Sequence, residues 1–208
     1  MSLTFYYSPM STATITELVI GELGVPCEKI RVDLQKGGTH TPEYLRLNPN
    51  GKVPMIVHDG TPIWESAAIT MYLGDVFGVA KNLYPPSGPQ RGEAMKWITW
   101  ANVSLGDAVG RWLRNTSEWT PADQHNAKAG EAGHADMHNG LRILDEALEG
   151  RQYLLGASYT LADTHLNSFV DWLRMMKVDL SAYARLNAWG ERCAARPAHA
   201  ALMSAGAG

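Results

Sequence analysis

The chain of 208 residues reads as a two-part molecule: an α/β N-terminal domain of order βαβ-ββα built on a mixed sheet, followed by an all-α helical C-terminal domain. Three observations predict this. Short β-branched and aromatic runs alternate with helical patterns over the first 78 positions, a Pro-rich stretch Tyr84-Pro85-Pro86-Ser87-Gly88-Pro89 follows, and beyond it the apolar residues recur only at helical spacing. The expected boundaries are 1–78 for the first domain, 79–90 for the linker and 91–208 for the helical domain.

Residues 3–7 form a strand that stops at Ser8-Pro9. A helix is expected from Thr12, with Ile15, Leu18, Val19 and Leu23 on one side, Thr14 and Glu17 as a capping box, and Gly24 as a left-handed stop. Ile30, Val32 and Leu34 alternate with Lys29, Arg31 and Asp33, the pattern of a half-buried strand that runs into Gly37-Gly38. After a loop, residues 53–57 and 61–64 make a hairpin about Asp59-Gly60. Ser66 caps a further helix that should end at Gly78. Past the linker, Met95, Ile98, Leu105, Val109 and Trp112 mark one side of a long helix and Trp97, Trp100, Ala101 and Ala108 another, so this helix is expected to be buried on more than one side. Helical patterns then cover about 121–148, 161–176 and 182–196, and the small-residue tail 204–208 is expected to fray.

The composition excludes several function classes. With 45% hydrophobic and 19% charged residues and a net charge of −3, the chain is an ordinary globular protein without a basic footprint for nucleic acid. No apolar run approaches the ~20 residues of a membrane span, and the start lacks a signal core, so a cytoplasmic location is expected with no membrane partner. Cys27 and Cys193 have no second cysteine nearby, so neither a metal site nor a catalytic thiol is expected. Asn102-Val103-Ser104 matches a glycosylation acceptor by chance.

Four segments, in order, carry a resemblance that covers nearly the whole chain: Tyr6-Tyr7-Ser8-Pro9-Met10-Ser11-Thr12, Asn48-Pro49-Asn50-Gly51-Lys52-Val53-Pro54, Trp64-Glu65-Ser66-Ala67-Ala68-Ile69 and Thr160-Leu161-Ala162-Asp163. Together they resemble the cytosolic glutathione transferase superfamily, with bacterial, serine-type features similar to the beta, theta and delta classes. The resemblance implies a thioredoxin-like first domain that binds glutathione as cosubstrate, with no resident cofactor and no metal. It also implies a helical domain that lines the site of a small hydrophobic electrophile, with Trp97, Trp100, Trp112, Met175 and Met176 as wall candidates, and a homodimer active in detoxification.

The chemistry of the ligand fits those residues. Glutathione carries two carboxylates, an ammonium and a thiol. Ser66 offers a hydroxyl and an N–H at a helix start to the γ-glutamyl carboxylate, and Glu65 meets the ammonium. Val53 presents its backbone to the cysteinyl part if the bond to Pro54 is cis, and Lys52 meets the glycyl carboxylate. Thr39 and His40 are read as solvated loop residues that can assist there. Single residues here have ordinary explanations, Ser66 as a cap and Lys52 as a surface charge; their joint occurrence with Glu65 and Pro54 favours a site.

The nucleophile of such an enzyme is a thiolate. Lowering a thiol by two pKa units corresponds to about 2.7 kcal/mol, and one hydroxyl hydrogen bond to a charged acceptor supplies roughly 1.5–3 kcal/mol. Three hydroxyls compete. Ser11 matches the serine of the delta- and theta-like classes and is the expected catalytic residue. Thr12 stands where beta-class enzymes have cysteine, and Tyr7 matches the tyrosine of the alpha, mu and pi classes. Threonine at position 12 disfavours disulfide exchange through a protein cysteine. The alternative readings are a glutathione-dependent isomerase or peroxidase, and a non-catalytic binding protein of stress response or translation.

Overall fold

The computed structural model describes residues 2–205. It divides into two compact units, one formed by residues up to Arg91 together with those from Ala195 onward, the other by residues 92–194.

The first unit holds a four-stranded mixed sheet in the order β2-β1-β3-β4, from β1 (Leu3–Tyr7), β2 (Glu28–Arg31), β3 (Met55–His58) and β4 (Thr61–Trp64). β1 and β2 are parallel, joined by the crossover helix α1 (Ala13–Leu23), and β3 is antiparallel to both β1 and β4. This is the expected thioredoxin-like arrangement. Asp59 and Gly60, at φ 46° and 83°, form a two-residue turn with positive φ at both positions, which matches the twist of the strands it joins. α3 (Ser66–Leu73) packs on α1, and Phe5, Leu23, Ile56, Ile69 and Leu73 are fully buried. Each such side chain contributes roughly 1.5–3 kcal/mol of hydrophobic stabilisation. A second cluster of Val32, Tyr44 and Met55 gathers Tyr6, Leu47, Val53 and Trp64.

Several boundaries differ from the sequence reading. β2 ends at Arg31; after the Val32 N–H bonds to the Tyr7 carbonyl at 2.7 Å, Asp33 Oδ1 accepts from the Gln35 and Lys36 amides and turns the chain, leaving Leu34 exposed. The loop before residue 53 holds a short helix, α2 (Pro42–Leu47), whose start is capped by Thr41 Oγ1 accepting from Tyr44 N at 3.2 Å. Thr14 and Glu17 do not form a capping box: the helix begins after Thr12, and Glu17 pairs with Lys29 at 2.8 Å. α3 passes at Gly74 into a wide turn, Gly74–Gly78, and Tyr84 lies against that glycine, where a Cβ would sit 2.7 Å from the ring. The Pro-rich stretch is fastened to the same unit, with Arg91 bonded to Asp75 at 2.6 Å and to the Pro85 carbonyl at 3.0 Å.

α9 (Pro197–Ala205) packs on α1, where Arg196 grips the buried Glu22 carboxylate through two bonds of 2.8 and 2.6 Å. Ser204 and Ala205 thus close a helix, and the rest of the tail expected to fray lies outside the described residues.

The second unit is helical. α4 (Pro89–Trp100), which begins in the first unit, continues through a wide turn, Ala101–Gly106, into α5 (Asp107–Thr116). Ala94, Trp97, Ile98, Ala101, Leu105, Ala108, Val109 and Leu113 are buried, whereas Met95 and Val103 face out. Asn102 is bonded to the buried His165 at 2.8 Å, inside a helical segment that is no place for a glycan. α6 (Ala127–Ala147) lies closely along α5: a Cβ at Gly133 would be 2.5 Å from the Trp112 amide nitrogen. α7 (Leu161–Met175) starts at the capping box, where buried Asp163 accepts from Thr160 N, Thr160 Oγ1, Leu154 N and Trp189 Nε1 at 2.8–3.0 Å. α8 (Ala184–Ala194) completes the unit. Among the described residues no helix is long and apolar enough to cross a membrane.

Candidate active site

Strand register collects the candidate residues. Tyr6, Met55 and Trp64 stand side by side across β1, β3 and β4. The turn after β1, the segment before β3 and the residues after β4 therefore leave the sheet at one end. Ser11 and Thr12, Lys52 to Pro54, and Glu65 with Ser66 all lie on these three departures. Cys27 precedes β2, whose start pairs with the start of β1, and so lies at the opposite end; burial pushes its thiol up, which makes it a poorer nucleophile. Cys193 is buried in the other unit.

The turn after β1 sorts the three hydroxyls. Ser11 Oγ donates to the Ser8 carbonyl at 2.7 Å and accepts from Ala13 N at 3.2 Å. Its proton is thus committed to the backbone and its lone pair caps α1. Thr12, which is exposed, donates its Oγ1 proton to the Val53 carbonyl at 3.3 Å, a long and easily exchanged bond. Of the two, Thr12 is the hydroxyl that reaches across to the segment before β3. Tyr7 stacks on the buried Phe5 ring, with centroids 5.5 Å apart, as a packing residue at the strand end. Met10, between Pro9 and Ser11, is 69% exposed at φ 56°, a conformation that non-glycine residues rarely adopt.

The Val53-Pro54 bond is cis, as expected. Two residues without a role in the sequence reading hold the loop before it. Tyr44 Oη and Asn48 Nδ2 both donate to the Lys52 carbonyl, at 2.6 and 2.8 Å, and Asn48 also accepts from Asn50 N. Burial pushes the Tyr44 hydroxyl up to about 12, so it stays a donor at every physiological pH. The Lys52 side chain is left exposed at the sheet end. Thr39 is buried, not solvated, and bonds His40 Nδ1 at 3.0 Å; the His40 ring in turn packs against Gly51. The signal for Asn48 and Tyr44 was present in the segment 44–52, but their partner is a backbone carbonyl whose position only the folded loop fixes.

Glu65 sits at φ 73°, ψ 117°, immediately before α3, and its carbonyl accepts the first helical bond from Ile69 N at 2.9 Å. This is backbone strain of order 1–3 kcal/mol, of the sort retained where it aims a side chain. Glu65 is exposed, and Ser66, 4% exposed, is the first residue of the helix. The sheet end therefore offers a carboxylate, a helix N-terminus, a backbone segment before a cis proline, a lysine and a hydroxyl. Among the described residues there is no cluster of three or more metal-ligating side chains.

The wall candidates of the helical unit separate. Trp97 is buried in its core, whereas Trp112 and Met176 line a cleft of that unit; Trp100 packs edge-on to Trp97 at 5.5 Å and Met175 is 51% exposed.

Known proteins carry the same pattern. The family described as glutathione S-transferase, N-terminal domain, matches residues 1–75, and that described as glutathione S-transferase, C-terminal domain, matches residues 114–197. The disulfide-bond oxidoreductase YfcG of Escherichia coli is 30% identical over 93% of this chain and 90% of its own. Glutathione S-transferase GstB of Escherichia coli is 30% identical over 87% of each. A glutathione transferase of Burkholderia graminis, solved with two glutathione molecules bound per subunit, is 25% identical and superposes with a TM-score of 0.83 over 96% of this chain and 86% of its own. Matches to both domain families, with relatives at this identity spanning most of their length, show that the chain belongs to the glutathione S-transferase family.

Proposed function

We propose that the protein is a glutathione transferase that holds glutathione across the end of its sheet and activates the thiol as thiolate for attack on a small hydrophobic electrophile. One observation carries this reading: the Thr12 hydroxyl meets the Val53 carbonyl beside cis Pro54, just before β3, the strand that lies between β1 and the β4 strand leading to the strained Glu65. Two strand spacings, about 10 Å, separate the turn after β1 from the end of β4. A tripeptide in extended form covers about the same length, at roughly 3.3–3.6 Å per residue. The ligand then lies with its ammonium on Glu65, its γ-glutamyl carboxylate at the start of α3, its cysteinyl backbone on Val53 and its glycyl carboxylate toward Lys52. Cytoplasmic location, a role in detoxification and a homodimer go with this reading.

Thr12 is assigned the thiol in preference to Ser11. A Ser11 proton bound to the Ser8 carbonyl at 2.7 Å would have to leave a short bond to serve the sulfur, and α1 would lose a cap. Thr12 gives up only the 3.3 Å bond to Val53, a carbonyl that the cysteinyl amide of the ligand can then satisfy. The test is conjugation of a dinitrohalobenzene. Thr12→Ala should lower kcat/KM about 10–100-fold, as expected for one hydroxyl bond to a charged acceptor; Ser11→Ala and Tyr7→Phe should stay near normal. Loss of turnover in Ser11→Ala with Thr12→Ala unaffected would return the role to Ser11.

A second reading, glutathione-dependent disulfide reduction, is favoured by the name of the YfcG relative. With no cysteine at position 12, the exchange needs two glutathione molecules: the first thiolate attacks the substrate disulfide and releases one substrate thiol, and the second attacks the mixed disulfide and releases the other thiol with oxidised glutathione. The same thiolate serves both reactions. Turnover of a hydroxyethyl disulfide that outpaces conjugation by orders of magnitude would select this reading. No retention on immobilised glutathione would instead select the non-catalytic one.

A further inference from the structure

Far along the sequence from these residues, and wholly within the helical unit, His134 and His138 stand one turn apart on α6. Four residues apart, they face the same way, and their ring centroids are 4.5 Å apart. His134 is exposed and His138 half-buried, and both line a cleft of about 480 Å³. The Tyr183 hydroxyl lies 2.8 Å from His138 Nδ1 and 3.2 Å from the His138 carbonyl. In the tautomer that carries its proton on Nδ1, the ring donates to the Tyr183 oxygen and Nε2 carries the lone pair. A ring held through Nδ1 with Nε2 free is the arrangement by which proteins orient a metal-binding histidine.

We propose that His134 and His138 form a two-nitrogen binding site for a divalent late transition-metal ion, copper, nickel or zinc, with water completing the coordination. Asp179 and Lys177 both line the cleft, one negative and one positive. Their opposed charges give no general attraction for cations, so affinity comes from imidazole nitrogen, and hard oxygen-seeking ions such as magnesium and calcium are not taken. Trp112, whose ring centroid is 5.6 Å from that of His134, supplies an optical reporter for a quenching ion.

The site is tested on the full chain, without a polyhistidine tag, by titrating copper(II) or nickel(II) while following tryptophan fluorescence, with bound metal counted by equilibrium dialysis. The expected result is one equivalent bound, not displaced by millimolar magnesium. His134→Ala should weaken binding by more than about tenfold, and Tyr183→Phe by about 10–100-fold, the usual effect of losing an orienting partner. His134 is exposed, so its replacement leaves folding unchanged. Equal affinity in His134→Ala and the wild type, or ready displacement by magnesium, would overturn the proposal.

Discussion

At the scale of single residues, hydroxyl groups of the same chemistry are separated by where their protons go. Ser11 spends its proton and a lone pair on the start of α1, so Ser11→Ala should lower stability by about 1 kcal/mol while conjugation persists; Thr12→Ala should do the reverse. Urea unfolding beside the conjugation assay reads both. Glu65 is distinguished by its backbone: a φ of 73° turns its exposed carboxylate away from the course of the strand. Glu65→Gln keeps that backbone and removes the charge, so glutathione should bind about tenfold or more weakly, seen as a smaller thermal shift at fixed glutathione. An unchanged shift would remove the ammonium-binding role. Sequence pattern identified both neighbourhoods, yet it could not choose between adjacent hydroxyls, because the choice depends on two carbonyls, of Ser8 and Val53, at different distances along the chain.

At the scale of elements, close backbone approach overrides helix propensity. α6 contains three glycines that an isolated helix would disfavour, and Gly133 shows why, since a Cβ there would collide with the backbone of α5 at 2.5 Å. Gly133→Ala should therefore destabilise the protein despite the better helix former. Gly92 of α4 has nothing within 4 Å of its Cβ position, and Gly92→Ala should stabilise by about 0.5–1 kcal/mol. Thermal unfolding of the pair checks both signs, and a stabilising Gly133→Ala would refute the packing argument. The missed α2 and the shortened β2 have a similar origin. Their ends are set by side-chain bonds from Thr41 and Asp33 to backbone amides, which periodicity of apolar residues does not record.

At the scale of the whole molecule, acid should act first through the helical core. Burial lowers the His165 imidazole to about 3, and its partner is the Asn102 side chain at 2.8 Å. The unfolded chain takes up this proton near pH 6.5 and the folded one does not until about pH 3. Stability from this group is thus complete above pH 6.5 and falls between 6.5 and about 3, by up to roughly 1.4 kcal/mol per pH unit. His165→Gln should flatten that part of the curve. Tryptophan fluorescence is a suitable probe, since Trp97, Trp100, Trp112, Trp119, Trp172 and Trp189 all belong to the helical unit and only Trp64 to the other. Identical slopes in the variant and the wild type would show that this histidine does not govern acid sensitivity.

Local pattern sufficed for the four strands of the first unit, the hairpin at Asp59-Gly60 and the capping box at Thr160 to Asp163, because turn chemistry, capping and hydrophobic period are each written in a few neighbouring positions. The cis form of the bond before Pro54 followed from the resemblance of four segments to a known family and not from any local rule. Other facts come from the folded chain alone: Tyr6, Met55 and Trp64 share one row and so bring three distant segments to one end of the sheet, Asn48 and Tyr44 hold the Lys52 carbonyl, α9 returns to α1, and Thr12 is the hydroxyl left to reach across. Those facts depend on strand register and on hydrogen bonds between groups far apart in the chain, and such pairings come into being only when the chain has closed on itself.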